Sequence, residues 1–418
     1  MACKRTLEKW GSSLLCAGLL ICGPASAHLP ELFGREYMRV DPQDYQPPDD
    51  LDRSRTLRPP LAAESATEEQ VRAEEAAAGA YGAGIADPLI NLADLQLERG
   101  DVDDAVASIR RAIQLVRINE GLYSESQLPL LRRLIGIYRD HGHYAPLGDT
   151  YVHYYRVITT GGKPVQSEQL PTLLEYLQWE RQLYATRNSD TRRAHLLRAY
   201  DTNQSLLQQL HDPGADEFVS LAMSQLHNLY LVLGERPIAT LGGELGRDDQ
   251  RLLAIQRIAE GKGRRLLEEC IALLESSPPR QQADMYRELG DWLLWNERPR
   301  TALQAYTRAI SLMREAGAKE ELASWFDEPA ELPAKQALWS PIHEENGREP
   351  VVVEASYEVS RKGEVRKVVV SSADDDQDWQ ASRIGRMLRE SHFRPRIGEA
   401  GFESGPRVTR HYRLIGTN

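Results

Sequence analysis

The chain has 418 residues, 41% of them hydrophobic and 27% charged, and its 62 Asp and Glu outnumber 51 Lys and Arg to give a formal charge of −11 at pH 7. The acid excess lies before residue 351, and residues 351–418 carry twelve Lys/Arg against ten Asp/Glu, a distribution that argues against a nucleic-acid-binding role. Three of the four cysteines, Cys3, Cys16 and Cys22, stand close to the N-terminus, so removal of that region leaves Cys270 alone, excludes an internal disulfide and makes buried apolar surface the source of stability.

In chain order, Lys4, Arg5 and Lys9 precede an apolar run from Gly11 to Gly23 and then Ala25-Ser26-Ala27, the pattern of a secretory signal with a small-x-small cleavage site. The run is shorter than the roughly 20 apolar residues that a spanning helix needs. Residues 1–27 therefore read as a cleaved signal peptide, with His28 as the mature N-terminus and a periplasmic location, peripheral contact with a membrane being compatible with it. Residues 28–82 are rich in Pro, Asp, Glu and Ala, and Pro47-Pro48-Asp49-Asp50 and Pro59-Pro60 break any regular pattern. This segment reads as a disordered acidic arm, with a helix at its end as one option.

Over residues 83–320 apolar residues recur every three or four positions, which predicts helices, and the length without one central core suggests repeats. Ala93 is followed at offsets of 12, 16 and 19 by Ala105, Ile109 and Ala112, and Gly290 at the same offsets by Ala302, Tyr306 and Ala309. Small residues suit close helix crossings and larger ones fill the space beside them. On these residues the region resembles the tetratricopeptide repeat, at about 86–119 and 283–316. Gln127-Leu128-Pro129 returns 42 residues later as Gln169-Leu170-Pro171, with Pro suited to the first turn of each leading helix, and five or six helix pairs of uneven length are expected. Cys270, at helical spacing from Gly263 and Leu267, reads as a small core residue. The resemblance implies a solenoid whose groove holds a peptide or a partner helix, and the candidates to line it are Ile90, Asp94, Arg132, Arg287, Asp291 and Trp295, the last as an exposed interface anchor.

Pro329, Pro333 and Pro341 mark a linker over residues 321–345, after which the period changes to two. In residues 346–418, Val351, Val353, Ala355, Tyr357 and Val359 alternate with Glu354, Ser356 and Glu358, which predicts a half-buried strand. A turn at Arg361-Lys362-Gly363-Glu364, a second strand from Val365 to Val370, a helix with Ile384, Met387 and Leu388 on one side, and a last strand at Val408–Leu414 follow. The Gly363-Glu364-Val365 turn, the serines Ser371 and Ser372, the Phe393-Arg394-Pro395 end of the helix and the closing strand resemble the C-terminal domain of TonB-family energy transducers. That resemblance implies that the edge at Arg407, Val408, Arg410 and Tyr412 pairs with an extended segment of a TonB-dependent outer-membrane transporter. The cleavable signal and the helical body depart from the family's membrane helix and proline-rich spacer, so the binding surface is carried over and the force transduction is not.

The fold class expected is mainly α, a TPR-like helical-repeat solenoid followed by a small α+β domain. Chemistry has few footholds. His141, His143 and His153 lack companion ligands at zinc spacing, and Asp374, Asp376 and Asp378 start a calcium-like loop that Trp379 and Gly385 interrupt. No serine elbow, phosphate-binding glycine loop or dinucleotide fingerprint occurs, so no enzyme, metal, cofactor or small-molecule substrate is expected. The function expected is a non-catalytic periplasmic adaptor for envelope proteins. The alternatives are a membrane-anchored TonB-like transducer, if the signal is retained, and a regulator of a peptidoglycan enzyme.

Overall fold

The computed structural model describes residues 37–40, 61–141, 143–160, 164–185, 192–210, 214–235, 246–333, 352–371, 378–398 and 400–414. The signal peptide, His28, Asp374 and Asp376 lie outside them. Among the described residues no helix is long and apolar enough to cross a membrane.

The body begins with α1 (Leu61–Ala78), the helix given as one option for the end of the segment otherwise read as a disordered arm. The helix is held by packing and charge: Val71 buries its side chain in the first core cluster, and Arg99 and Arg111 form ion pairs with Glu64 and Glu75 of this helix. Five helical hairpins follow. They are α2 (Ala86–Arg99) with α3 (Val102–Glu120), α4 (Leu128–Asp140) with α5 (Tyr144–Thr159), α6 (Leu170–Ala185) with α7 (Arg192–Gln209), α8 (Ala215–Gly234) with α9 (Arg247–Leu273), and α10 (Pro279–Trp295) with α11 (Pro299–Glu315). A short α12 (Lys319–Phe326) closes the series and runs into the segment read as linker.

The small-residue offsets mark real crossings. Ala93, Ala105, Ile109 and Ala112 are fully buried between α2 and α3. At Gly290 an added Cβ would lie 2.3 Å from the ring of Tyr306, so α10 and α11 approach as closely as they do only because that position lacks a side chain. The repeated Gln-Leu-Pro phrase also has a structural meaning, since each copy ends a one-turn 3-10 helix that leads into α4 or α6. The buried Gln127 amide donates to the carbonyls of Leu122 at 3.0 Å and Ser124 at 3.2 Å, which holds the turn before α4.

The terminal module consists of β3 (Val352–Val359), β4 (Val365–Ser371), α13 (Asp378–Glu390), the short β5 (Phe393–Arg394), β6 (Arg396–Gly398) and β7 (Gly401–Glu403), and the last strand β8 (Val408–Leu414). Val353, Ala355, Tyr357 and Val359 face the core with Ile384 and Leu388 of α13, while Glu354, Ser356 and Glu358 face outward, as the alternation predicts. The turn glycine and the Phe393-Arg394-Pro395 segment are linked in space. Gly363 has φ +78°, and an added Cβ would lie 2.1 Å from the carbonyl oxygen of Phe393, whose N–H donates back to Gly363 at 3.1 Å.

Two features of the sheet differ from expectation. A strand β1 (Tyr37–Val40) comes from the segment read as disordered, and the sheet order is β1-β8-β3-β4, antiparallel throughout. The last strand is therefore an interior strand over His411–Arg413. In addition β2 (Ala330–Glu331), from the expected linker, pairs with β5 and ties the end of the body to the terminal module.

Candidate functional site

Several of the expected partner-binding residues are buried against other parts of the same chain instead of facing solvent. Arg394, on β5 and 5% exposed, donates from Nη1 to both carboxylate oxygens of Asp291 on α10, each at 2.9 Å, and from Nη2 to the Trp325 carbonyl at 3.0 Å. Its guanidinium lies 5.2 Å from the Phe326 ring centre and 5.8 Å from that of Tyr306, whose hydroxyl donates to Asp291 at 2.6 Å. Burial opposes the charge on Arg394, but Asp291 and Tyr306 outweigh it, and its pKa is raised overall. Arg287 packs 4.1 Å over the Trp325 ring, with Asp284 at 3.3 Å and Glu288 at 3.5 Å. Burial lowers the Arg287 pKa to about 10 and raises Asp284 to about 6 and Glu288 to about 8.

A second contact lies on the inner face of the sheet. Arg410 donates to the Pro329 carbonyl at 2.6 Å and comes within 3.4 Å of Glu328 and 3.7 Å of Glu331. The hydroxyls of Tyr357 and Tyr412 are 2.6 Å apart, and Tyr412 also donates to Glu331. Ile397 and Phe402 of the β6–β7 hairpin pack with α11 and α12, and Trp295 donates to the Pro333 carbonyl at 2.8 Å. Body and terminal module thus share a continuous buried joint.

The expectations for Arg287, Asp291, Trp295, Arg410 and Tyr412 are corrected by this joint. Trp295 is 6% exposed, stacks on Trp292 with ring centres 6.4 Å apart and meets Tyr230 edge-on, so it is a core residue. Asp291 and Arg410 were expected on two different binding surfaces, and both are used to hold the two parts of the chain together. Val408 is half-buried in the terminal core, and Ile90 is half-buried against the first core cluster, so neither offers an open face. Arg407 is exposed and donates to Ser356 at 2.6 Å. Arg132 is exposed, meeting the Tyr154 hydroxyl and the Glu168 carbonyl at 3.2 Å each, and Asp94 is half-exposed in an ion pair with Arg133. Of the expected partner-binding residues, these three are the exposed ones. A sequence signal for the joint existed in Phe393-Arg394-Pro395, but nothing in it named the acceptor carboxylate 103 positions earlier in the chain.

A surface that the sequence reading missed lies at one end of the first two hairpins. Tyr81, Ile118, Leu122 and Tyr123 are exposed, and the Asn119 amide donates to the Tyr81 carbonyl at 3.0 Å, which sets the turn after α1 beside the end of α3. Tyr123 sits 6.4 Å from the His153 ring on α5. Exposed apolar residues gathered in this way are uncommon on a self-contained surface. His153 pairs with the Gln127 side-chain oxygen at 3.0 Å, and burial, with Arg117 and Arg156 nearby, lowers its pKa. His143 stacks on Tyr138, and among the described residues no group of three or more His, Cys, Asp or Glu could hold a metal ion. Between α1, α2 and α3 an open cleft of about 320 Å³ has Val71, Leu89 and Leu92 in its lining and the charged Glu68, Arg72 and Arg111 around them.

Together these features define a helical-repeat protein with a small α+β module docked on its last hairpin. No family model matches the chain, and no curated protein does. Among solved structures it is similar to the assembly chaperone of RpL4 (Acl4), residues 1–338, with 15% sequence identity, 57% of this chain and 99% of that chain covered, and a TM-score of 0.24.

Proposed function

We propose that the chain is a non-catalytic, exported adaptor that binds other proteins with the first hairpins of its helical body. The observation that carries this reading is the exposed set Tyr81, Ile118, Leu122 and Tyr123, apolar side chains on adjacent turns with no core of their own to fill. Stacked hairpins support it, because a body built from local contacts presents a long surface for a partner. The tetratricopeptide-like spacing and the TonB-like terminal module belong to the same proposal, as does a periplasmic location, which rests on the signal-like residues 1–27. Within it, the terminal module serves extended segments of envelope proteins, outer-membrane transporters included.

The test is photo-crosslinking in cells, with one probe replacing Tyr123 and another replacing Arg407, followed by mass spectrometry. A defined envelope partner at Tyr123 is the expected result. Transporters captured at Arg407 would support the role of the terminal module, and peptidoglycan enzymes at Tyr123 would turn the adaptor into their regulator. Capture at neither position would refute the reading. Mass analysis of the mature chain is expected to begin at His28, whereas retention of residues 1–27 would favour a membrane-anchored transducer.

A further inference from the structure

The two edges of the four-stranded sheet are protected differently. On β4 the register shifts between Ser356 and Glu358, Lys367 takes the left-handed conformation at φ +52°, and Arg366 and Lys367 are exposed. A bulge flanked by charges is a common guard against further strand pairing. On the other side β8 pairs with β3 without interruption from Val408 opposite Tyr357 to Arg413 opposite Val352, so its far edge is regular. What covers the His411–Leu414 part of that edge is β1, four residues whose main chain pairs with β8 from Tyr37 opposite Leu414 to Val40 opposite His411. Among the described residues no other element has a comparable contact with β1.

We propose that the outer edge of β8 is a strand-accepting site and that Tyr37–Val40 of the same chain closes it as an exchangeable strand. The proposal deepens the reading of the terminal module as a binder of extended segments, since it names how that site is kept closed. Main-chain bonds over four residues are largely offset by the cost of ordering them, so the tether supplies much of the occupancy. In the chain order, residues 41–60 stand between β1 and α1, which packs on the first hairpin, whereas β8 belongs to the module docked on the last. Closing the edge therefore connects the two ends of the body. An extended segment added from outside must outcompete a segment already held close by.

The experiment uses the full chain and its own segment as probe, so it does not depend on any partner's identity. A labelled peptide of residues 34–43 is titrated by fluorescence anisotropy against the wild type and against a variant carrying Met38→Pro and Arg39→Pro. Alternate residues of a strand point their N–H groups to the same neighbour, so replacing both removes a ladder donor whichever of the two supplies it. The variant is expected to bind the peptide at least tenfold more tightly than the wild type, and a scrambled peptide is expected to bind neither. Equal binding to both proteins, or none to the variant, overturns the proposal. If the variant misfolds, a Val40→Cys, His411→Cys chain decides: oxidation should give a disulfide within one chain, identified by mass spectrometry. A disulfide between two copies, or none, overturns closure by the chain's own segment. Failure here with successful capture at Tyr123 would leave the role of the helical body standing.

Discussion

Replacing Arg394 by Ala should loosen the joint and leave the helical hairpins folded. The substitution removes two bonds to Asp291 and one to the Trp325 carbonyl from a site that is 5% exposed, and it leaves the Asp291 carboxylate buried with the Tyr306 hydroxyl donating to it at 2.6 Å. Breaking a buried ion pair from one side costs about 3–5 kcal/mol, most of it the desolvation of the abandoned charge. Hydrogen exchange locates the effect, because the Leu332 amide donates to His392 at 2.8 Å across the β2–β5 pair and should lose protection, while the amides of α4 and α6 should keep theirs. Urea unfolding followed by tryptophan emission gives the magnitude, since Trp325 and Trp295 both flank the joint. Removing Asp291 as well should recover part of the loss, with a coupling of about 2 kcal/mol in the double-mutant cycle. A destabilisation below about 1 kcal/mol, the net worth of an ordinary hydrogen bond, with unchanged exchange at Leu332 would refute the account.

Gly363→Ala should destabilise the terminal module by at least about 2 kcal/mol, since it adds left-handed strain to a Cβ placed 2.1 Å from the Phe393 carbonyl; a thermal melt would show it. Asp284 and Glu288 are raised by burial to about 6 and about 8, so the folded chain binds their protons more tightly than the unfolded one. Their contribution is fully present below the unfolded values and is lost as pH rises through about 6 and then about 8, so stability should fall over that range and Glu288→Gln should flatten the fall above pH 6. A wild type whose urea midpoint is constant from pH 5 to 9 would contradict this. Cys270 is fully buried and its thiol is pushed up to about 12, so iodoacetamide at pH 8 should leave it unlabelled until denaturant is added.

The amount legible in the sequence differs between local and long-range features. Ala93, Gly290, Ala302 and Ala309 mark helix crossings because a close approach demands small side chains wherever it occurs, and the partner helix is a short hairpin away in the chain. The odd residues Val353 to Val359 likewise disclose a one-sided strand, since alternation follows from strand geometry alone. The site residues were less legible. Trp295 and Asp291 stand on the leading helix of a hairpin, where a repeat offers its open face, but Trp295 packs inward on Trp292 and Tyr230, and Asp291 is bound by Arg394 of the terminal module.

Sequence by itself thus determined the helical hairpins, the switch to a two-residue period after the prolines and the order hairpin, helix, strand at the end, all of which depend on residues within one or two elements. Tertiary structure decided which charges are spent inside the chain, Arg394 on Asp291 and Arg410 on the Pro329 carbonyl, and which edge of the sheet is closed. The physical reason is that a buried arginine or a strand edge can be satisfied by any acceptor that the fold brings within about 3 Å, and its distance along the chain leaves no periodic trace.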